Sequence, residues 1–498
     1  MLFNSYVFVF LFFPLTLIGF YSCKKIGKAL HAKAFLVLMS LWFYCFADVR
    51  NLPVLLISMA VNYGIFCSMQ NTLKQEKEKG NKGKMWLAAG VVCQLGSLIF
   101  FKYAGSPFVP LAISFFTFSQ IAFLVEGYKG TIKQTGLLDY AFYVTFFPKL
   151  IQGPIALPAE MEGQVEEAVG KAFDWESFYR NLCLFVLGLS KKVLLADTFG
   201  SAVNLGYTSL TSLNTKDAWV VILSYTLQLY FDFSGYSDMA MGAAGMLGFR
   251  LPVNFASPYK AANILEFWKG WHISLTRFFT KYLYIPLGGN RKGKGRTYLN
   301  ILLVFLLSGI WHGAGVTFVI WGMMHGVLNV ITRWWQEKKG SLKKTSYEEE
   351  RGQKNSEEKR GIWKKGKHAL AVVATFLYVN IAWVFFRAPS VKEALTLLKE
   401  AFSFAFGRMN KNLAGCFNLE EFWYVIKILG LDSWQYAHYI LMILFLLVAL
   451  WIVFFGKTAL QISREIKPGI AVTTVMAILF VWCVITFSQV STFLYVNF

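Results

Sequence analysis

The sequence predicts an all-α polytopic membrane protein, with about ten to twelve transmembrane helices joined by broken and interfacial ones. Three observations carry that prediction. Of 498 residues, 56% are hydrophobic and 17% aromatic, and the mean hydropathy is +0.47, above the range of ordinary soluble domains. The apolar residues arrive in runs near twenty, the length that crosses a hydrocarbon core about 30 Å thick. The loops between the first runs alternate between lysine-rich and nearly neutral, as membrane topology demands.

The first four spans are expected at 3–22, 32–47, 51–69 and 85–103. The loop 23–33 carries four lysines and 70–84 five, whereas 48–50 is nearly neutral, so the first and third loops face the cytoplasm. Residues 1–22 lack a basic amino-terminal region and an A-x-A site, and read as a span with its amino terminus outside, not as a signal peptide. Between 104 and 260 the apolar runs (108–128, 138–155, 178–190 and 216–234) are interrupted by Pro107, Pro110, Pro148, Pro154 and Pro158. Broken backbone at membrane depth is tolerated only inside protein or along a cavity, so this region reads as packed, partly re-entrant structure; ordinary proline-kinked spans are the alternative.

Residues 263–280 mix aromatics with Glu266, Lys269, His272 and Arg277. At 100° per residue Ile264, Phe267, Trp268, Trp271 and Leu275 share one face, which suits a helix lying at the interface or inside the protein. A purely basic patch follows: Lys281, Arg291, Lys292, Lys294 and Arg296. The chain then rises through 298–310 to Trp311-His312-Gly313 and returns through 316–335 to a charged segment, 337–367, with eleven Lys/Arg against six Glu. Both flanks are expected in the cytoplasm, so the pair forms a hairpin with His312 at its turn. A rising arm of about 13 residues would span roughly 20 Å and stop short of the outer surface.

Spans at 368–387, 435–456 and 469–488 complete the chain, and Lys457, Arg464 and Lys467 mark a cytoplasmic turn that leaves the carboxyl terminus outside. The expected organisation is therefore 1–104 as amino-terminal transmembrane helices, 105–336 as a core of broken and interfacial helices, 337–367 as a cytoplasmic loop, and 368–498 as carboxyl-terminal helices with an outer-face cap at 391–430.

The net charge of +21 does not indicate a nucleic-acid partner, because the basic residues sit in short loops where they meet anionic lipid head groups. The seven cysteines are scattered without a CxxC pair, so neither disulfides nor zinc are expected. Three of the six histidines, His272, His312 and His325, fall in one window in or beside the membrane, where an ionisable group points to function. A neutral imidazole can take a proton from a hydroxyl while that oxygen attacks an ester or thioester. His312, at the turn, is the first candidate; a structural role is the stronger alternative for His325. No Gly-x-Ser-x-Gly elbow is present, and Arg277 and Thr317 stand where an HxxxxD motif would place aspartate. A three-histidine metal site lacks ligand spacing, and no metal is expected. Asp232, Asp238 and Glu266 are the carboxylates able to orient an imidazole, or simply to bond packed helices together, and Trp311 flanks His312. Gly288-Gly289-Asn290 reads as a tight turn without phosphate-loop spacing.

The stretches YFDFSGYSDMAMGAAGMLGFRLPVNF, SPYKAANILEFWKGWHISLTRFFTKYLYIPLGGNR and LVFLLSGIWHGAGVTFVIWGMMHG, with FFPKLIQGPI before them and WVFFRA and FLYVNF after, closely resemble the membrane-bound O-acyltransferase family (MBOAT), nearest its bacterial alginate O-acetyltransferase branch. The resemblance implies a helical fold around a central funnel and tunnel, with His312 the catalytic histidine and His272 where bacterial polysaccharide acetylators carry histidine. It also implies a cytoplasmic acyl thioester donor, acetyl-CoA or an acyl carrier protein, whose phosphates suit Lys281, Arg291 and Lys292. No bound cofactor is implied. Membrane lipid, a polysaccharide acceptor and an extracytoplasmic SGNH-type partner are, and the location would be a bacterial cytoplasmic membrane. Three alternatives stand beside this: D-alanyl transfer to teichoic acid from a carrier protein, a non-catalytic transporter of an acylated carrier, and acylation of protein or lipid instead of glycan. The absence of a fixed-period repeat and the presence of the histidine pair count against the transporter.

Overall fold

The computed structural model describes residues 1–75, 81–106, 108–132, 135–340 and 358–489. Every regular element among them is helical. Six helices are long and apolar enough to cross a bilayer: Phe8–Lys25, Asn51–Gln75, Asn81–Tyr103, Val316–Lys338, Lys365–Arg387 and Ala437–Phe454. Ala29–Cys45 and Ile470–Ile485 are apolar but shorter. Longer helices of mixed composition stand beside them, among them Trp175–Ser190, Thr215–Met246 and Lys294–His312. Part of the lysine-rich third loop (76–80), the middle of the charged segment (341–357) and the FLYVNF end lie outside the described residues.

The described chain divides into two compact units. The first comprises Met1–Val193, Phe233–Val253 and the chain from Ala459. Of the prolines singled out, Pro107 lies outside the described residues. Pro148 and Pro158 open the short helices Phe147–Leu150 and Pro158–Met161, where a missing N–H is harmless. Polar side chains in this unit bond to one another across helices. Tyr140 Oη donates to Gln120 Oε1 at 2.8 Å, Gln94 Nε2 donates to Asn62 Oδ1 at 3.3 Å and to Gln120 Oε1 at 3.1 Å, and Gln120 Nε2 donates to Ser58 Oγ at 2.9 Å. Satisfied networks of this kind fix one helix arrangement where apolar packing alone permits several. Lys149, from FFPKLIQGPI, is buried, 3.4 Å from Ser119 Oγ and 4.3 Å from the ring centre of Tyr143.

The second unit comprises Leu194–Asp232 and Asn254–Thr458. It contains the anticipated hairpin: Lys294–His312 rises, Gly313-Ala314-Gly315 turns, and Val316–Lys338 returns. The rising arm is longer than expected. Its 19 residues cover about 28 Å at 1.5 Å per residue, because the basic residues Lys294 and Arg296 and the Trp311-His312 pair belong to the helix and not to loops. The length of the arm therefore gives no reason for the turn to stop short of the outer surface. The segment expected as a cap forms three short helices, Val391–Ala401, Lys411–Gly415 and Glu420–Ile428. It is tied to the start of Thr215–Met246 by Trp219 Nε1 donating to the Ala401 carbonyl at 3.0 Å.

The hairpin arms meet backbone to backbone. A Cβ on Gly309 would lie 2.4 Å from the Phe318 carbonyl oxygen, and one on Gly322 2.4 Å from that of Phe305. In lipid, where no hydrophobic force drives helices together, such small residues allow the close contact that holds them. At the open end Lys294 pairs with Glu337 at 3.1 Å, and Tyr298 Oη donates to the same carboxylate at 3.1 Å. Gly309→Ala or Gly322→Ala is expected to wedge the arms apart at a cost of about 1–3 kcal/mol. The measurement is the thermal unfolding midpoint in detergent, with Gly295→Ala, where a Cβ meets open space, as the substitution that leaves it unlowered.

Candidate active site

The stretch expected as one amphipathic helix is two helices, Ile264–Gly270 and Ile273–Phe279. The break falls at Trp271-His272, and its cause lies in the preceding extended loop. The Asn254 carbonyl accepts from Ile273 N at 3.0 Å, and Ala256 N donates to the Gly270 carbonyl at 3.0 Å. Asn254 Oδ1 accepts from Ser274 N at 3.2 Å and from Ser274 Oγ at 2.5 Å. The loop thus supplies the partners that helix ends require, and a continuous helix is replaced by two short ones. His272, at the start of the second, has φ 43° and ψ 53°. That left-handed conformation costs a non-glycine residue on the order of 1–2 kcal/mol, and strain of this sort gathers at functional sites. His272 is buried at 1% exposure.

His312 ends the rising arm at 4% exposure, and aromatic rings stand against its imidazole. Trp311 lies 4.5 Å away between ring centres, Phe386 4.9 Å at 72° and Trp321 5.1 Å at 89°. Trp321 is shared: its other neighbours include His325 at 5.1 Å and Trp383, stacked at 5.7 Å and 19°. The first half of the broken segment reaches the same cluster, with Trp268 at 5.1 Å and Phe267 at 6.2 Å from the His325 ring. His325 is fully buried, and neither of its ring nitrogens has a hydrogen-bond partner among the described residues; it serves as one more ring in the stack. A histidine held by edge-to-face contacts has little freedom to rotate, and the rings around it keep water away.

The basic loop belongs to the same unit. Asn300 Nδ2, on the rising arm, donates to the Gly289 carbonyl at 3.0 Å and to that of Leu287 at 3.4 Å, which pins the expected glycine turn to the base of the hairpin. Arg291 and Lys292 are exposed beside it and Lys281 is half-buried.

Of the carboxylates singled out from the sequence, Asp232 is buried in this unit on Thr215–Met246. Glu266 is exposed and turned to local bonding, accepting from Ala262 N at 2.9 Å and Asn263 Nδ2 at 2.7 Å. Asp238 belongs to the other unit and pairs with Lys191 at 2.6 Å. Among the described residues no three His, Cys, Asp or Glu side chains are grouped to hold a metal ion. Reasoning from the sequence missed Trp321, Trp383, Phe386 and Asn254. All four lie inside motifs quoted for their resemblance, but no spacing rule ties residues 321 and 386 to residue 312.

The family model described as MBOAT, membrane-bound O-acyltransferase family, matches residues 10–335. A peptidoglycan O-acetyltransferase of Helicobacter pylori is 38% identical over 442 residues, covering 80% of this chain and 79% of that protein. A protein named probable alginate O-acetylase AlgI, of Pseudomonas aeruginosa, is 35% identical over 441 residues, with 83% and 78% covered. A teichoic acid D-alanyltransferase of Bacillus subtilis is more distant, 26% identical over 236 residues, with 45% and 60% covered.

Asn254→Ala removes the oxygen that accepts from Ser274 N and Ser274 Oγ, which should cost about 1–3 kcal/mol. A thermal midpoint in detergent lower than that of the parent checks this; an unmoved midpoint would mean that Asn254 does not hold the break at His272.

Proposed function

The chain belongs to the membrane-bound O-acyltransferase family, and from that premise we propose that it passes an acetyl group from a cytoplasmic thioester to a hydroxyl of a cell-envelope glycan, with His312 as the base. The observation that carries this reading is His312 itself: a buried imidazole at the turn of a membrane hairpin, walled by aromatic rings. The protein is an acyltransferase and a multi-pass membrane protein; what is proposed is the donor, the acceptor, the direction and the roles of residues.

In the proposed step the neutral imidazole of His312 takes the proton of the acceptor hydroxyl as its oxygen bonds to the thioester carbonyl carbon. The tetrahedral adduct then collapses, the carbon–sulfur bond breaks, and the imidazolium returns its proton to the departing thiolate. Nothing is left on the enzyme. Two features of the chain favour this assignment. Aromatic contacts orient the ring before substrate arrives, so that less of the barrier is spent on alignment, and surroundings poor in water suppress hydrolysis of the thioester. His272, strained and buried in the same unit, is assigned to positioning the acceptor or the imidazole, with Asp232 and Trp311 as supports. Of the remaining site candidates, Glu266 and Asp238 are bonded locally, and His325 packs as a ring against Trp321 and Trp268.

Lys281, Arg291 and Lys292 are assigned to the phosphates of the donor. A positive loop faces the cytoplasm by the usual charge rule, which puts the thioester on that side and the glycan opposite. The relatives named for peptidoglycan and for alginate support a glycan acceptor. A separate extracytoplasmic SGNH-type protein that completes transfer to the polymer belongs to the same proposal. The aminoacyl alternative draws on the more distant relatives alone.

His312→Ala and His312→Gln should lower donor-dependent acylation by about 10²–10⁴-fold while the protein still elutes as a folded species in detergent; undiminished transfer would refute the base assignment. Arg291→Ser with Lys292→Ser should raise KM for acetyl-CoA several-fold with little change in kcat, and the effect should shrink as salt is added. A KM that does not move would assign the donor phosphates elsewhere.

A further inference from the structure

We infer that Trp321 and Phe386 restrict the transferred acyl group to two carbons, an inference that rests on the acyl-transfer reading of His312. The restriction is steric. Both rings stand nearly perpendicular to the imidazole, at 5.1 Å and 89° for Trp321 and at 4.9 Å and 72° for Phe386. Aromatic rings at such separations are in van der Waals contact, which leaves no width for a methylene between either ring and His312. An acetyl carbonyl can be presented to an attacking hydroxyl with only a methyl beside it. A propionyl or butyryl chain needs a channel leading away from the carbonyl carbon, and on these two sides the rings fill it.

The wall is rigid as well as close. Trp321 and Phe386 touch each other at 5.0 Å. Behind them Trp383 is stacked on Trp321 at 5.7 Å and lies 5.3 Å from Phe386, and Phe318 meets Phe386 at 5.2 Å. Trp268 and His325 also pack against Trp321, at 6.0 Å and 5.1 Å. The backbone cannot retreat either, because Gly322, next in the chain, already rests on the Phe305 carbonyl. Room for a longer chain would require several packed rings to move together, which close-packed interiors resist. This also gives His325 a use that no chemistry of its own supplies: it backs the indole that limits the site.

Trp321→Leu and Phe386→Leu remove ring volume from the wall. The full-length protein in detergent is offered acetyl and butyryl thioesters, each as the CoA ester and as the carrier-protein ester, and the ratio of kcat/KM for butyryl over acetyl is measured. That ratio does not depend on the fraction of variant that folds. The parent should favour acetyl by more than tenfold, and at least one variant should raise the butyryl ratio by about tenfold or more, the scale on which a snug apolar pocket discriminates methylenes. A ratio unmoved in both variants overturns the inference. A parent that accepts butyryl as readily as acetyl overturns it too while leaving acyl transfer intact, and a parent that transfers neither acyl group from either donor sinks both readings.

Discussion

The two arms of the hairpin touch at Gly309 and Gly322, and the geometry around His312 depends on that approach. His312 ends one arm and Trp321 lies on the other, one residue before the contact glycine. Side chains larger than hydrogen at either glycine would separate the arms and carry the indole away from the imidazole. Because lipid is as apolar as the helices it surrounds, the arms are held by van der Waals contact and by the polar clasp of Lys294, Tyr298 and Glu337 at the open end.

The rule that backbone groups in a membrane must find partners inside the protein accounts for much of the remaining detail. The broken segment before the hairpin is possible only because the loop through Asn254 and Ala256 supplies the hydrogen bonds that the break removes. The gain is a histidine in a conformation that no regular helix would permit. In the other unit buried side chains meet the corresponding need, and the bonded set of Ser58, Asn62, Gln94, Gln120 and Tyr140 satisfies polar atoms and fixes how four helices meet.

Aromatic residues serve three purposes at once around His312. They fill space, they hold the imidazole by edge-to-face contact, and they bound the volume beside it. A wall of aliphatic side chains could fill the same space but would be less rigid, since Phe and Trp have two side-chain torsions and large flat faces that lock against one another.

The residues by themselves determined the class of protein, because a run of apolar residues near twenty long has one stable environment, and the charge of its flanking loops orients it. They also marked His312, since an ionisable group between two apolar arms is costly wherever the arms pack. The tertiary structure decided what stands around that histidine. Trp321 and Phe386 are distant in sequence and indistinguishable from other apolar residues of their helices, and only packing brings them to the same ring. The break at His272 was hidden for a related reason: periodicity reports which face a helix would present, while the bonds from Asn254 that end the helix come from a loop whose position no local pattern encodes.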